Sequence, residues 1–140
     1  MNRDVVEVAA AELCDVIAAN LARLANGICG RPVAGSPEWL ADREVPAGLR
    51  ASRLREWHLV KIAICVAADV GPVGDVINAR LYGASWQQIG DALGVSRQAA
   101  HERWGKVCDR STVRLDSEAE VLVAAGHARA SSDVDDGCRP

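Results

Sequence analysis

Between Ser85 and Trp104 the sequence constrains its own backbone more tightly than anywhere else. Ser85 is followed three positions later by Gln88, the spacing at which each side chain can satisfy a free backbone NH at the other residue, so a helix is predicted to begin at Trp86. Gly94 directly follows Leu93, where the chain has to turn through a left-handed conformation that a residue without Cβ adopts cheaply. Ser96 then stands where it can cap a second helix. Ile89, Leu93, Val95, Ala100 and Trp104 are spaced to point into the angle between these helices, and Gly90 is expected to permit their close approach. The second helix is left with Arg97, Gln98, His101 and Glu102 on its outer side, and with Arg103 and Lys106 toward the flank.

A polar set at the start of the second of two such helices is what a helix-turn-helix presents to a DNA major groove. Arg pairs bidentately with guanine and Gln with adenine, each good pair giving roughly 1–3 kcal/mol of discrimination. Glu102 can accept from cytosine or, by repelling phosphates, restrict register. On the preceding helix, Ser85, Gln87 and Gln88 lie near an N-terminus whose free NH groups favour a phosphate. With Arg103 and Lys106 they are the predicted contacts to the DNA backbone.

The stretch from Gly83 through Trp104 resembles the helix-turn-helix of bacterial sigma-factor region 4 and related regulators, matching at Ile89, Gly90, Leu93, Gly94, Val95, Ser96, Arg103 and Trp104. The resemblance implies base contacts from Arg97 and Gln98, with His101 and Glu102 as further candidates. It implies a trihelical unit if the helix starting at Val73 is the first of the three. It departs at Ala100, smaller than the usual branched residue, and at Gly105, which is expected to end the second helix early. No stretch resembles sigma region 2 or a promoter-melting segment.

The remainder reads as helix, giving an all-α fold in which an N-terminal helical scaffold carries the helix-turn-helix unit. From Asp4 to Ala25 apolar residues recur at Val5, Ala9, Leu13, Ile17, Leu21 and Leu24, one side of a helix that could pack internally or pair with a second subunit, closed by Asn26-Gly27. Residues 27–50 are punctuated by Gly and Pro, but Ser36-Pro37-Glu38-Trp39 predicts a short helix over about 37–43, anchored to the core by Trp39. A helix over roughly 51–70 turns apolar on nearly every side and is expected at the centre of the fold, ended by Gly71-Pro72. The helix Val73 to Tyr82 should bury Val73, Val76, Ile77 and Leu81. Ser117 to Glu120 forms a second capping box opening a helix to about Arg129, and the polar, acidic stretch 131–140 is expected to be disordered. The expected organisation is a scaffold and dimerisation region over 1–70, the DNA-binding unit over 71–110, a C-terminal helix over 111–130 and a tail over 131–140.

A formal net charge of −3 excludes a broadly basic surface, so any DNA contact has to be local. Residues 1–110 balance at zero, and the deficit lies in the last thirty, where Asp116, Glu118, Glu120, Asp133, Asp135 and Asp136 outweigh Arg114, Arg129 and Arg139. The five cysteines have no CxxC spacing and no secretory leader precedes them, which points to reduced thiols and a cytoplasmic location. The apolar run Leu59 to Ala68 is too short to span a bilayer. His58 with Cys65 and His101 with Cys108 share helix faces, but the closely spaced ligand pairs of structural zinc are missing; no metal or cofactor is expected. The sequence offers no phosphate loop or nucleophile constellation, so no catalytic residue is assigned and the histidines read as incidental. The leading expectation is a regulator that binds double-stranded DNA, as a homodimer. The alternative is an interaction module that docks RNA polymerase or a regulatory protein through the same helix pair.

Overall fold

A computed structural model of the chain describes residues 2–111, and over these residues the protein is helical without a strand. The helices are α1 (Arg3–Cys29), α2 (Pro37–Asp42), α3 (Ala47–Ala67), α4 (Val73–Leu81), α5 (Trp86–Leu93) and α6, which begins at residue 97 and continues through residue 111. None among the described residues is long and apolar enough to cross a membrane. The expected capping box at Ser117, its helix and the acidic tail lie outside the described residues.

Asn2 starts α1 by accepting the Asp4 NH at 3.1 Å. The expected stop at Asn26-Gly27 is not taken. Gly27 stays helical, and Gly30, at φ +62°, makes the left-handed turn, with the Gly30 and Arg31 NH groups both returning to the Asn26 carbonyl. A glycine inside a helix costs only about 1 kcal/mol relative to Ala, so the later glycine can supply the cap. Of the whole helix only Ala25 is fully buried, and residues 2–20 are exposed. Among the described residues the apolar side is thus left uncovered at Val5, Ala9, Leu13 and Ile17 and partly covered only at Leu21.

The short helix is where the Ser-Pro signal puts it, with Ser36 Oγ accepting the Trp39 NH at 3.2 Å. Trp39, however, is half-exposed beneath the Arg43 guanidinium instead of anchoring the core. Helix α3 starts directly behind Pro46, earlier than expected, because proline is well suited to the residues that open a helix. It ends at Ala67, where Asp69 rather than Gly71 takes the left-handed backbone, at φ +55°, and the Val70 NH reaches the Cys65 carbonyl at 2.8 Å.

Helix α3 is central, packing against α1, α4 and α5. Its apolar girdle is incomplete, since Ala63, Val66 and Ala67 face solvent. Helix α4 is rotated from expectation: Asp75, Val76 and Ala79 are buried, while Val73 and Leu81 point outward. The rotation follows from Asp75, which has ionic partners inside. One core cluster joins Ile62 of α3, Val76 and Ala79 of α4, Ala84, Ile89 of α5, and Ala100 and Cys108 of α6. Leu59, Ile77, Trp86, Leu93 and Trp104 pack around it, so α3 shares its core with the three helices that follow.

Candidate nucleic-acid interface

The backbone from Ser85 to Ser96 follows its local signals closely. Ser85 Oγ accepts the Gln88 NH at 3.1 Å while Gln88 Oε1 accepts the Ser85 NH at 2.9 Å, a complete capping box. At the other end of α5, Gly94 sits at φ +70° and the Val95 NH donates to the Gly90 carbonyl at 2.9 Å. Ser96 Oγ then accepts the Ala99 NH at 3.2 Å and opens α6. Two helices are thereby joined by a connection with almost no slack.

Gly90 sets how closely they approach. A Cβ there would stand 2.8 Å from the Val95 carbonyl oxygen and 3.2 Å from both the Arg97 nitrogen and the Ser96 carbonyl carbon. Only a hydrogen fits. Ile89 and Ala100 are fully buried beneath the turn, and the small Ala100 lets α6 lie close to the core. Val95 departs from expectation: its side chain is 43% exposed, because the turn residue itself rides over the junction. Helix α6 also passes straight through Gly105, which is buried with the His101 ring 3.2 Å from where a Cβ would be. Close packing, rather than helix termination, explains that glycine.

Arg97, Gln98, His101 and Glu102 are all exposed on α6. Gln87, Arg97, Gln98 and His101 line one surface cleft with Trp86 and Ser96, so residues expected to touch bases and one expected to touch a phosphate share a single concavity. The Gln98 amide donates to Glu102 Oε1 at 2.9 Å, which leaves its second NH and its carbonyl oxygen for other partners. Gln87 donates to Asp91 Oδ1 at 2.8 Å. His101 folds back along the helix, its ring meeting Trp86 edge-on at a centroid distance of 5.2 Å. That contact draws it away from the leading end of α6.

Among the expected phosphate contacts, Ser85 and Gln88 are exposed but spend their side chains on each other. The backbone NH groups of Trp86 and Gln87 belong to the first turn of α5, where an α-helix has no intrahelical acceptor for them. Arg103 is exposed, but its guanidinium covers the Trp104 ring and it lines a different groove, with Asp69, Val70 and Pro72. Lys106 is exposed one turn beyond Glu102. From Trp86 to Ser111, Arg97, Arg103, Lys106 and Arg110 outnumber Asp91, Glu102 and Asp109 by one. The local field is only weakly positive.

Two arrangements were not foreseen. Arg80 lies over the Trp86 ring at 4.9 Å and donates to the Ala84 carbonyl, fixing the approach to α5. Further inside, Asp75 Oδ1 accepts from His58 Nδ1 at 2.9 Å and from Lys61 Nζ at 2.7 Å. His58 is buried by stacking on Tyr82 and by the edge of Trp57, and Lys61 rests over the Trp57 face. His58 is therefore not incidental: with Asp75 and Lys61 it ties α3 to α4. Burial alone would push the Asp75 carboxyl up, but the hydrogen bonds and charges of His58 and Lys61 outweigh it and hold the group below the usual carboxylate range. His58 and Lys61 lie one turn apart, but the remoteness of Asp75 along the chain left no periodic signal.

Burial raises the thiols of Cys29, Cys65 and Cys108, and no disulfide joins cysteines among the described residues. A separate cleft between α1, α2 and α3 is lined by Arg31, Pro32, Glu38, Asp42, Arg53 and Glu56 among others. No group of three or more His, Cys, Asp or Glu is placed to hold a metal among the described residues. Comparison with protein-family models, with curated proteins and with solved structures returned no match. Any functional reading therefore rests on geometry.

Proposed function

We propose that this protein binds double-stranded DNA in a sequence-specific manner, as a small cytoplasmic transcriptional regulator of the bacterial type. In this reading α4, α5 and α6 form a trihelical helix-turn-helix unit and α6 enters the major groove. The observation that carries it is the cleft in which Arg97 and Gln98, at the leading end of α6, meet Trp86 and Gln87 at the start of α5. A helix tip aimed at base edges beside a helix N-terminus suited to a phosphate is the pairing that groove recognition requires.

Arg97 and Gln98 read bases in this scheme, and Glu102 holds the Gln98 amide in one orientation through their hydrogen bond. His101, drawn onto Trp86, acts at the margin. Lys106 and the α5 N-terminus contact phosphates. Because so few cations are available, one copy binds weakly, and two copies reading half-sites about 34–36 Å apart supply the affinity.

The test is a binding series on duplex DNA at increasing salt, with Arg97→Ala and Lys106→Ala beside the wild type. Affinity is expected to fall steeply with salt. Arg97→Ala should lose about 1–3 kcal/mol of discrimination at one base position. Lys106→Ala should weaken all sequences alike and flatten the log–log salt slope by about 0.9. No detectable affinity for random-sequence duplex at low salt would rule the proposal out. The weakly charged outer face of α6 would then favour docking on RNA polymerase or a regulatory protein.

A further inference from the structure

Helix α1 carries a seam that nothing among the described residues covers. Val6, Ala10, Leu13, Ile17, Asn20 and Leu24 follow one another at alternating steps of four and three, the spacing of a helix that packs along its length against another. In a single copy Val6 is 45% exposed, Leu13 59%, Ile17 38% and Leu24 44%. Glu7, Glu12, Asp15 and Arg23 fall off the seam. The helical stretch before Leu21 is exposed throughout, although in proteins most helical stability comes from tertiary packing of an apolar face.

We propose that the occupant of this seam is α1 of a second copy of the chain, so that the protein is a homodimer paired through α1. Alongside the seam, Ile17, Asn20 and Leu24 form an almost wholly apolar groove with Ile64, Ala68 and Val70 at the end of α3. A second helix laid on the seam fills that groove. The exposed fractions of the seam and groove side chains together correspond to on the order of 500 Å² per copy, so complete mutual burial approaches roughly 1,000 Å², at the small end for a biological interface. An identical seam is self-complementary, as a two-fold interface demands. Asn20 is the one polar residue within it, and a single such residue selects its own counterpart and fixes register.

The surface is compatible with DNA binding. On α6, Ala99, Ala100, Arg103 and Trp104 line a groove with Asp69, Val70 and Pro72, beside the groove of α1 and α3, whereas Arg97, Gln98 and His101 line a different cleft. The pairing deepens the two-copy reading given above and rests on it, but its readout is the oligomeric state without DNA, so the two can fail separately.

Sedimentation of the full chain over a wide concentration range tests it. The wild type is expected at twice the 14.8 kDa chain mass. The double variant Leu13→Glu, Ile17→Glu is expected at the single mass, while Val33→Glu, at an exposed residue off the seam, remains dimeric. Asn20→Leu should tighten association by about tenfold or more, because the seam loses its only polar group. A wild type that stays monomeric at the highest concentration overturns the proposal, as does a dimer that survives the double variant. A monomeric wild type whose Tm falls on Leu13→Glu, Ile17→Glu would assign the seam to the chain's own residues 112–140 instead.

Discussion

The atoms that crowd Gly90 belong to the backbone of Val95, Ser96 and Arg97, so no change of rotamer can relieve a side chain placed there. Gly90→Ala is expected to cost about 1–3 kcal/mol, the usual range for overpacking a close junction, and to lower Tm by on the order of 10 °C. Gly94 provides the contrast. Nothing lies within 4 Å of its Cβ position, but its φ of +70° is one that alanine adopts with strain. Gly94→Ala should therefore cost only about 1 kcal/mol. Thermal unfolding of both variants separates a glycine needed for contact from one needed for conformation, and equal losses would contradict the close approach described at Gly90.

Helix α3 is joined to α4 by an ionic cluster as well as by packing, and the join responds to pH. The folded-state pKa of Asp75 lies below its ordinary value of 3.8. Its contribution to stability is complete above that value and is lost as pH falls through the lower folded-state pKa. Asp75→Asn keeps an Oδ1 acceptor but removes the negative charge that His58 and Lys61 share, and it is expected to cost about 3 kcal/mol near neutrality, as removal of one charge from a buried ionic group does. Part of the acid sensitivity of the wild type should vanish with it. Denaturant unfolding at a series of pH values checks both, and a variant as acid-sensitive as the wild type would show that another carboxyl governs the loss. This cluster is also the part least legible in the sequence, because His58 and Asp75 are distant along the chain and meet only through tertiary packing. The α5–α6 junction was legible almost to the residue, since Ser85, Gln88, Gly94 and Ser96 act on their immediate neighbours. The glycines that misled, Gly27 and Gly105, have helical backbones: one is tolerated in open space, and the other is held against the His101 ring. A local pattern cannot distinguish these from a helix end.

For the molecule as a whole, charge is the scarce quantity and pairing is the remedy. With a net charge of −3, non-specific attraction to DNA is weak, and in the proposed DNA-binding reading affinity has to come from joining two recognition units. The Leu13→Glu, Ile17→Glu variant is therefore expected to lose about 10²–10⁴ in affinity for a two-half-site duplex while keeping the same preferred bases in each half. Selection from a random duplex pool with the wild type and the variant checks this. A variant with wild-type affinity would mean that one copy suffices. The connection between α5 and α6 has its own consequence at this scale. It holds only Gly94, Val95 and Ser96, and each has its own backbone role: Gly94 turns through the left-handed region, the Val95 NH returns to the Gly90 carbonyl and Ser96 caps α6. The angular heading of Arg97 and Gln98 is thus set by the count of residues in the turn. A single-residue insertion there would leave every side chain intact and, in the proposed DNA-binding reading, still point Arg97 and Gln98 away from the groove.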